Sequence, residues 1–512
     1  MKLSKRITAC ALSAIMAASV LTACNSSTTS GGNTSTTQSG TTSGTNESGT
    51  TESGTTGGDT STTGGEIIEA PTNGDTLKWL GYYDLNTDDK EIVDKFEDAG
   101  YKVEFLSTTS TEYFTRLAQL VASSDSPDMV RYEWQSYPHG VANNLYTSLD
   151  SYIDFDSETW SGIKNMIESF NYGGKHYYVP YRVNAGVVLI YSQTALEEEG
   201  IKEDPLELYQ EGNWTWDTWK DIMIEWCNLG DDYYGIMPTG FVAMPFIVST
   251  GTKMIDVDGE NKQIINNMKD ANVQRCQDFL ADLANQGMVN AEYADPSVCL
   301  TETKTLFAEF GLDWGWTTAQ AGSPDQDIRF VPIPRDEQAD AYYMNTDTFG
   351  YLVPAGAQNI RAAIKYMEIC RLNEIDPDRI AQAKAEATAE NLYYPKCPEC
   401  GVSTPDKTLA TCPECGAERR LNKKHASMSE ELYEISMDLK DTSGDKFVFL
   451  FDDCFGFSSD LTTLFQQGDA EGNGCILGGP FKNGESYTSL RDAYFGTVEA
   501  FLDPYRALMQ QN

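Results

Sequence analysis

Past residue 75 the chain breaks into short stretches that alternate apolar and polar positions and longer ones whose apolar positions recur every three to four residues. TLKWLGYYD (76–84) alternates and ends in a glycine and a cluster of aromatic and acidic side chains, which predicts a strand entering a loop. In DDKEIVDKFEDAG, Ile92, Val93 and Phe96 share one helical face and Gly100 supplies the stop. YKVEFLS predicts a second strand. EYFTRLAQLVASSDSPDMVRYEW predicts an amphipathic helix, a Ser/Asp/Pro turn and a third strand leading to Trp134. Strands and helices alternating in this way predict an open α/β sheet, whose ligands bind beyond the carboxyl ends of the strands.

Further along, GNWTWDTW offers Thr215 as an N-cap, with Asp217 and Asp221 near the positive end of the helix and Trp219 turned to a core. That logic makes Trp214, Trp216 and Trp219 structural, tempting as they are as an aromatic platform. Asp258-Gly259 in MIDVDGENKQIINN marks a hairpin, with oxygen ligands spaced too irregularly for a calcium loop. GDAEGNGCILGGP opens like a calcium loop at Asp469, Glu471 and Asn473. It has Pro480 where the bidentate acid belongs, so it reads as a Gly-rich loop.

The N-terminus has a different pattern. Lys2, Lys5 and Arg6 precede an apolar run from Ile7 to Val20 and then Leu21-Thr22-Ala23-Cys24, the layout of a cleaved export signal over residues 1–23. LTAC resembles the lipobox of bacterial lipoproteins, which makes Cys24 the expected lipidated first residue; an ordinary secretory signal with an incidental cysteine is the alternative. No later apolar run approaches the roughly 18 residues needed to cross a bilayer, so a lipid would be the only anchor. From Cys24 to residue 74 the chain is dominated by Ser, Thr, Gly and Asn, predicting a disordered tether with a reach of roughly 40 Å.

Three of the 37 Lys and Arg residues, and none of the 77 Asp and Glu, fall in the signal, which leaves 34 basic against 77 acidic residues in the mature chain. Such an excess argues against nucleic acid and against adhesion to anionic lipid. It identifies no ligand.

Four stretches, taken in order, carry a family resemblance. EYFTRLAQLVASSDSPDMV is similar to the helix that ends in small residues before Pro-Asp and a strand in family 1 extracellular solute-binding proteins. FNYGGKHYYVPYRVNAGVVLIYSQTALEEEGI resembles that family's first crossover, GNWTWDTWKDI its Thr-Trp-Asp helix start, and MNTDTFGYLVPAGAQNIRAAIKYMEI its second crossover. The resemblance, spanning about residues 75 to 380, implies a two-lobed α/β periplasmic-binding-protein-like fold of type II with hinge crossings. It places residues 75–183 and 328–372 in lobe 1 and 184–327 and 373–512 in lobe 2, closing over a solute between them. It further implies a carbohydrate ligand, delivery to ABC permease subunits, a monomer, and a place on the extracellular face of the bacterial membrane.

A cleft for sugars needs flat aromatic faces and planar carboxylates and amides. Strand ends supply Tyr82, Tyr83 and Asp84 after the first strand, and Glu133 and Trp134 after the third. Tyr181, Arg182 and Asn184 sit at the first crossover, Trp314 and Trp316 in LFAEFGLDWGW, and Asp347 at the return. Trp314 matches the position where maltose-type members of the family stack a sugar ring. Core packing is the alternative for each aromatic. No catalytic set accompanies them: His139, His176 and His425 are the only histidines, two of them in turn-like surface sequences, and G-x-S-x-G, H-E-x-x-H and phosphate-loop motifs are missing. The expectation is a binding protein with no catalytic residues. A glycan-adhesion or glycan-processing protein on the same fold, or a binder of a non-sugar solute such as a peptide, is the alternative.

One motif fits none of this. KCPECGVSTPDKTLATCPECG places Cys397, Cys400, Cys412 and Cys415 in two knuckles, the pattern of a saturated four-thiolate metal site. Structural zinc is the expected occupant, with rubredoxin-type iron or disulfides as alternatives. Six basic residues from Lys396 to Lys424 stand against four acids, offsetting the charge of a zinc tetrathiolate. The helical runs RIAQAKAEATAENLYY and SMSEELYEISMDL flank it, so a zinc-ribbon-like insertion at 396–420 is expected in lobe 2, clamping two helices or docking a partner. Cys227, Cys276, Cys299, Cys370, Cys454 and Cys475 remain, several on amphipathic runs where cysteine serves as a small apolar residue. Spacing leaves a Cys454–Cys475 disulfide open.

Overall fold

The structure, a computed structural model, describes residues 74–239, 243–468 and 474–511. The signal, Cys24, the tether up to residue 73 and the Asp469–Asn473 stretch of the Gly-rich loop lie outside the described residues.

Among the described residues twelve strands run in chain order: β1 (Thr76–Gly81), β2 (Lys102–Ser107), β3 (Met129–Arg131), β4 (Tyr178–Ala185), β5 (Val187–Ser192), β6 (Tyr234–Met237), β7 (Ile255–Asp258), β8 (Gln263–Asn266), β9 (Thr305–Gly311), β10 (Ile328–Pro332), β11 (Tyr343–Leu352) and β12 (Val448–Leu450). The first sheet has the order β12-β11-β3-β1-β2, with β4 also paired to β11; the second has the order β10-β5-β9-β6; β7 and β8 form the expected hairpin. β1 lies parallel to both β2 and β3. The helices Lys90–Asp98 and Tyr113–Ala122 cross between them because Ile92, Val93, Phe96, Leu117 and Leu120 cover the buried Leu77, Trp79 and Leu80 of β1. No helix among the described residues is long and apolar enough to cross a membrane.

Each of the two sheets is the centre of one lobe, and the crossings between them are abrupt. β4 pairs with β11 in the first sheet as far as Ala185, and β5 pairs with β9 in the second from Val187. Gly186 alone separates them. A Cβ there would lie 2.4 Å from the carbonyl oxygen of Asn345, so this hinge position requires glycine.

Two expected lobe boundaries are corrected. β10 pairs antiparallel with β5, Ile328 opposite Ser192, so the return to lobe 1 comes after Pro332 and not at residue 328. Hydrophobic alternation marks a strand without naming its neighbour, which is why the sequence pattern misplaced it. β12 likewise pairs with β11 in the first sheet, so the 373–512 segment is not wholly lobe 2. The C-terminal helix Tyr487–Met509 also reaches lobe 1, where Tyr172 donates to the Tyr505 carbonyl at 3.2 Å and His139 Nδ1 lies 2.6 Å from the Tyr505 hydroxyl.

The helix Trp216–Cys227 begins as its cap predicts. Thr215 and Thr218 exchange side-chain-to-amide bonds in a capping box. Trp214, Trp216 and Trp219 are buried, with Trp214 Nε1 donating to the Pro332 carbonyl at 2.8 Å and Trp219 stacked on Phe246. The helices Pro377–Thr388 and Glu430–Asp438 flank the four-cysteine segment.

Candidate functional site

β1 and β3 pair side by side, and the residues after them form one hydrogen-bonded cluster. Tyr82 donates to Glu133 Oε1 at 2.7 Å and accepts from Arg131 Nη1 at 3.2 Å. Partial burial, reinforced by the Glu133 carboxylate, pushes the Tyr82 phenol up to about 12, so it is a protonated donor at neutral pH. Arg131 and Arg182 both lie over the Phe349 ring, at 5.1 and 4.6 Å. Glu133 caps the short turn Trp134–Ser136, which holds Trp134 outward, 41% exposed, with its ring stacked on Phe455 at 5.1 Å.

Behind that aromatic pair a cavity of about 110 Å³ sits at the crossings. Its lining draws on both lobes: Tyr132 and Trp134 after β3, Ala185 to Val187 at the first crossing, Met244 and Gly311 from lobe 2, Asn345 to Asp347 at the return, and Phe451, Asp452, Phe455 and Gly456 after β12. The walls are mostly carbon, with a few directed polar groups. Asn345 Oδ1 is buried with no hydrogen-bond partner. Asp347 opens to the cavity yet is ringed by protein, which raises its carboxyl, while the Thr348 amide and the Arg131 and Arg182 charges pull the other way. Asp452 is engaged structurally, accepting from the amides of Met254, Ile255 and Cys454. This combination of aromatic faces and a carboxylate suits a ring-shaped solute with apolar faces and hydroxyl edges.

The expected site residues divide. Trp134 and Asp347 line the cavity, and Asn184 pairs with Asp347 across β4 and β11. Tyr82 and Glu133 bind each other on the adjoining wall. Arg182 faces a second, larger recess of about 530 Å³ beside Glu374, 3.7 Å from it. Trp314, 54% exposed, stands one turn past Gly311 with its edge on Phe310. Four side chains are already committed. Trp316 is buried, its indole N–H bonded to the Ile328 carbonyl at 2.7 Å, so it belongs to the core of lobe 2 and not to the cleft. Asp84 caps the turn Leu85–Asp88 by accepting from the Asn86 amide. Tyr181 stacks on the buried Tyr351 at 5.5 Å, and Tyr83 packs against Trp79.

Sequence reasoning missed Asn345 and the stretch from Phe451 to Phe455. A signal for the latter was present. FVFLFDDCFGF is a continuous apolar run that, like TLKWLGYYD, ends in aromatic and acidic residues. The three histidines lie away from the cavity: His139 on Tyr505, His176 between Asp150 and Glu168 at 2.6 and 3.1 Å, and His425 on the Ala389 carbonyl. Burial lowers His139. For His176 burial acts downward too, but the two carboxylates outweigh it and raise the imidazole.

The four knuckle cysteines converge. Their Sγ atoms all lie within 4.8 Å of one another, with Cys397 to Cys415 at 3.7 Å and Cys400 to Cys412 at 3.6 Å. A tetrahedron of thiolates about 2.3 Å from a central ion has edges of about 3.8 Å, so the spacing fits a metal and is far too long for disulfides. Gly401 and Gly416 adopt φ of +74° and +73°, turning each knuckle so that their amides bond back to Cys397 and Cys412. The expected basic surround is partly internal. Arg419 is buried and donates to the carbonyls of Tyr394, Asp406 and Leu409, tying the loop between the knuckles to their base. Cys475 forms no disulfide, so the Cys454–Cys475 bridge is not made.

The comparisons agree with this geometry. The family model described as bacterial extracellular solute-binding protein matches residues 91–380. The sugar-binding protein MalE from Xanthomonas citri superposes with a TM-score of 0.58 at 14% identity, over 85% of this chain and all of that one. A cyclo/maltodextrin-binding protein complexed with maltotetraose gives 0.52 at 14% identity, over 86% and 98%. UgpB from Mycobacterium tuberculosis in complex with glycerophosphocholine gives 0.54 at 13% identity, over 84% and 99%. No curated protein matches the sequence. With more than half of its length matched by the family model, on a two-sheet, hinge-crossed body that the solved structures share, the chain belongs to the bacterial extracellular solute-binding proteins.

Proposed function

We propose that this protein is the lipid-anchored extracellular solute-binding component of an ABC importer, capturing an oligosaccharide between its lobes and passing it to permease subunits without chemical change. The observation that carries the reading is the cavity at the crossings. It has an outward Trp134 stacked on Phe455 at its mouth and the Asp347 carboxyl within. Apolar ring faces would stack on the indole, and hydroxyls would meet the carboxylate. Tyr82, Glu133, Arg182, Asn184 and Trp314 would extend contact along the groove. Glycerophosphocholine in one similar structure shows that this fold also serves a non-sugar solute, so ligand class rests on the aromatic lining and not on the fold. Lipidation at Cys24 would hold the protein at the outer face of the membrane, with the tether giving it reach.

Zinc is the metal that four converging thiolates with no open position suit best, and its role would be structural. Cys397, Cys400, Cys412 and Cys415 would hold it.

Tryptophan emission tests the binding reading, since Trp134 and Trp314 are the exposed indoles. Maltotetraose added to the purified protein should shift the emission saturably, while free amino acids and dipeptides should not. A saturable shift with a dipeptide and none with any glycan would overturn it.

A further inference from the structure

The four-cysteine segment has no apolar core of its own. Between Leu392 and Asn422 the buried residues are Cys397, Thr404, Cys412 and Arg419, and Val402, Leu409 and Leu421 are exposed. A segment without a buried aliphatic side chain cannot hold a shape by hydrophobic burial, so metal coordination is what would fold it.

The helix before the segment has the same weakness. None of the twelve residues of Pro377–Thr388 is buried. A helix of that length is marginal in water on its own, so it needs support from neighbours. The segment supplies it. Gln382 donates to the Pro405 carbonyl at 3.1 Å and Lys407 pairs with Glu386 at 2.8 Å, both from the loop between the knuckles. Met428 N and Ser427 Oγ bond the last carbonyls of the helix, at 2.9 and 3.1 Å. Elsewhere it packs against the helices Ile360–Glu374 and Glu430–Asp438, with Lys384 over the Tyr433 ring at 5.7 Å and ion pairs from Lys384 to Glu434 and from Arg379 to Glu91, of a kind worth at most about 1 kcal/mol each.

The adjacent face of this helix, with Arg379, Ile380, Ala383 and Ala387, is a wall of the 530 Å³ recess. Arg379 and Ala383 face Arg182 of lobe 1 and Glu374, and Asp313 of lobe 2 closes the far side with Lys440, 3.4 Å away. Arg182 lines the recess while its guanidinium lies over Phe349 and its charge acts on Asp347 of the first cavity, which links the recess to the proposed cleft.

We infer that metal binding by the four cysteines sets the reach of the binding site: it fixes the helix Pro377–Thr388 as the wall of a second compartment, which takes the far end of an extended, hydroxyl-rich solute. The claim on the solute rests on the carbohydrate reading above; the claim on the helix does not.

The full chain is prepared metal-loaded and as the Cys400→Ser/Cys415→Ser variant, with metal content measured in both. Two readouts follow: amide hydrogen exchange, and affinity for maltose and maltotetraose. The variant should lose its metal and its protection across residues 377–388 while β5 and β9 keep theirs. Its affinity for maltotetraose should fall at least about tenfold with that for maltose changed less than about twofold. Ala383→Trp, which fills the recess and leaves the cysteines alone, should retain metal and reproduce the maltotetraose loss. Unchanged protection in 377–388 after metal loss would overturn the inference, as would equal losses for both sugars or an Ala383→Trp variant that binds maltotetraose normally. If the metal-loaded protein binds neither sugar, the carbohydrate reading and the claim on the recess fall together, and loss of protection still supports the metal-held helix.

Discussion

A carboxylic acid in the middle of an apolar strand is tolerated only while it stays protonated, and Glu309 in β9 shows the consequence. It is fully buried, accepts one bond from the Thr239 amide at 2.9 Å, and leaves Oε1 unpartnered. Burial pushes its carboxyl up to about 8. Because the folded state holds this proton at pH values where the unfolded chain has released it, Glu309 lowers stability progressively as pH rises from about 4.5 to about 8. The slope is on the order of 1 kcal/mol per pH unit. Glu309→Gln should therefore melt near the parent at pH 5 and well above it at pH 8, as differential scanning calorimetry would show; parallel pH profiles would refute the assignment. Trp314 is the opposite case, a large ring left 54% exposed. Trp314→Ala should leave the melting temperature unchanged and weaken glycan binding roughly tenfold, the scale of one lost aromatic contact. Equal affinity would remove Trp314 from the site.

At the level of elements, the hinge is the point of highest demand. Gly186→Val would force a branched side chain against the Asn345 carbonyl and should cost roughly 1–3 kcal/mol, read as a lower midpoint in urea. A midpoint equal to the parent's would mean the crossing yields. Much of this level was legible in the sequence: β1 to β3 from alternation and helical spacing, the Trp216–Cys227 helix from its Thr215 cap, the β7–β8 hairpin from Asp258-Gly259, and the four-cysteine cluster from its spacing. Trp316 was also decidable. Residues two apart on a helix point to nearly opposite sides, so with Trp314 facing out Trp316 had to face in. What could not be read was pairing over distance. The sheet to which β10 belongs, the return of β12 to lobe 1, and the stacking of Phe455 on Trp134 across some 320 residues depend on which surfaces meet, and local periodicity does not carry that.

For the whole molecule, a strongly acidic body carries an interlobe cavity with a carbon lining and few charges. The crossings at Gly186 and after Pro332, together with the C-terminal helix bonded to lobe 1 through Tyr505, make the lobes a hinged pair with a strap. The most direct measurement is isothermal titration calorimetry of the metal-loaded protein against oligosaccharides, amino acids and short peptides at one salt concentration. Saturable heat with at least one oligosaccharide, abolished in a Trp134→Ala variant and missing for amino acids and peptides, is the result predicted here. Heat with a peptide and none with any glycan would contradict it.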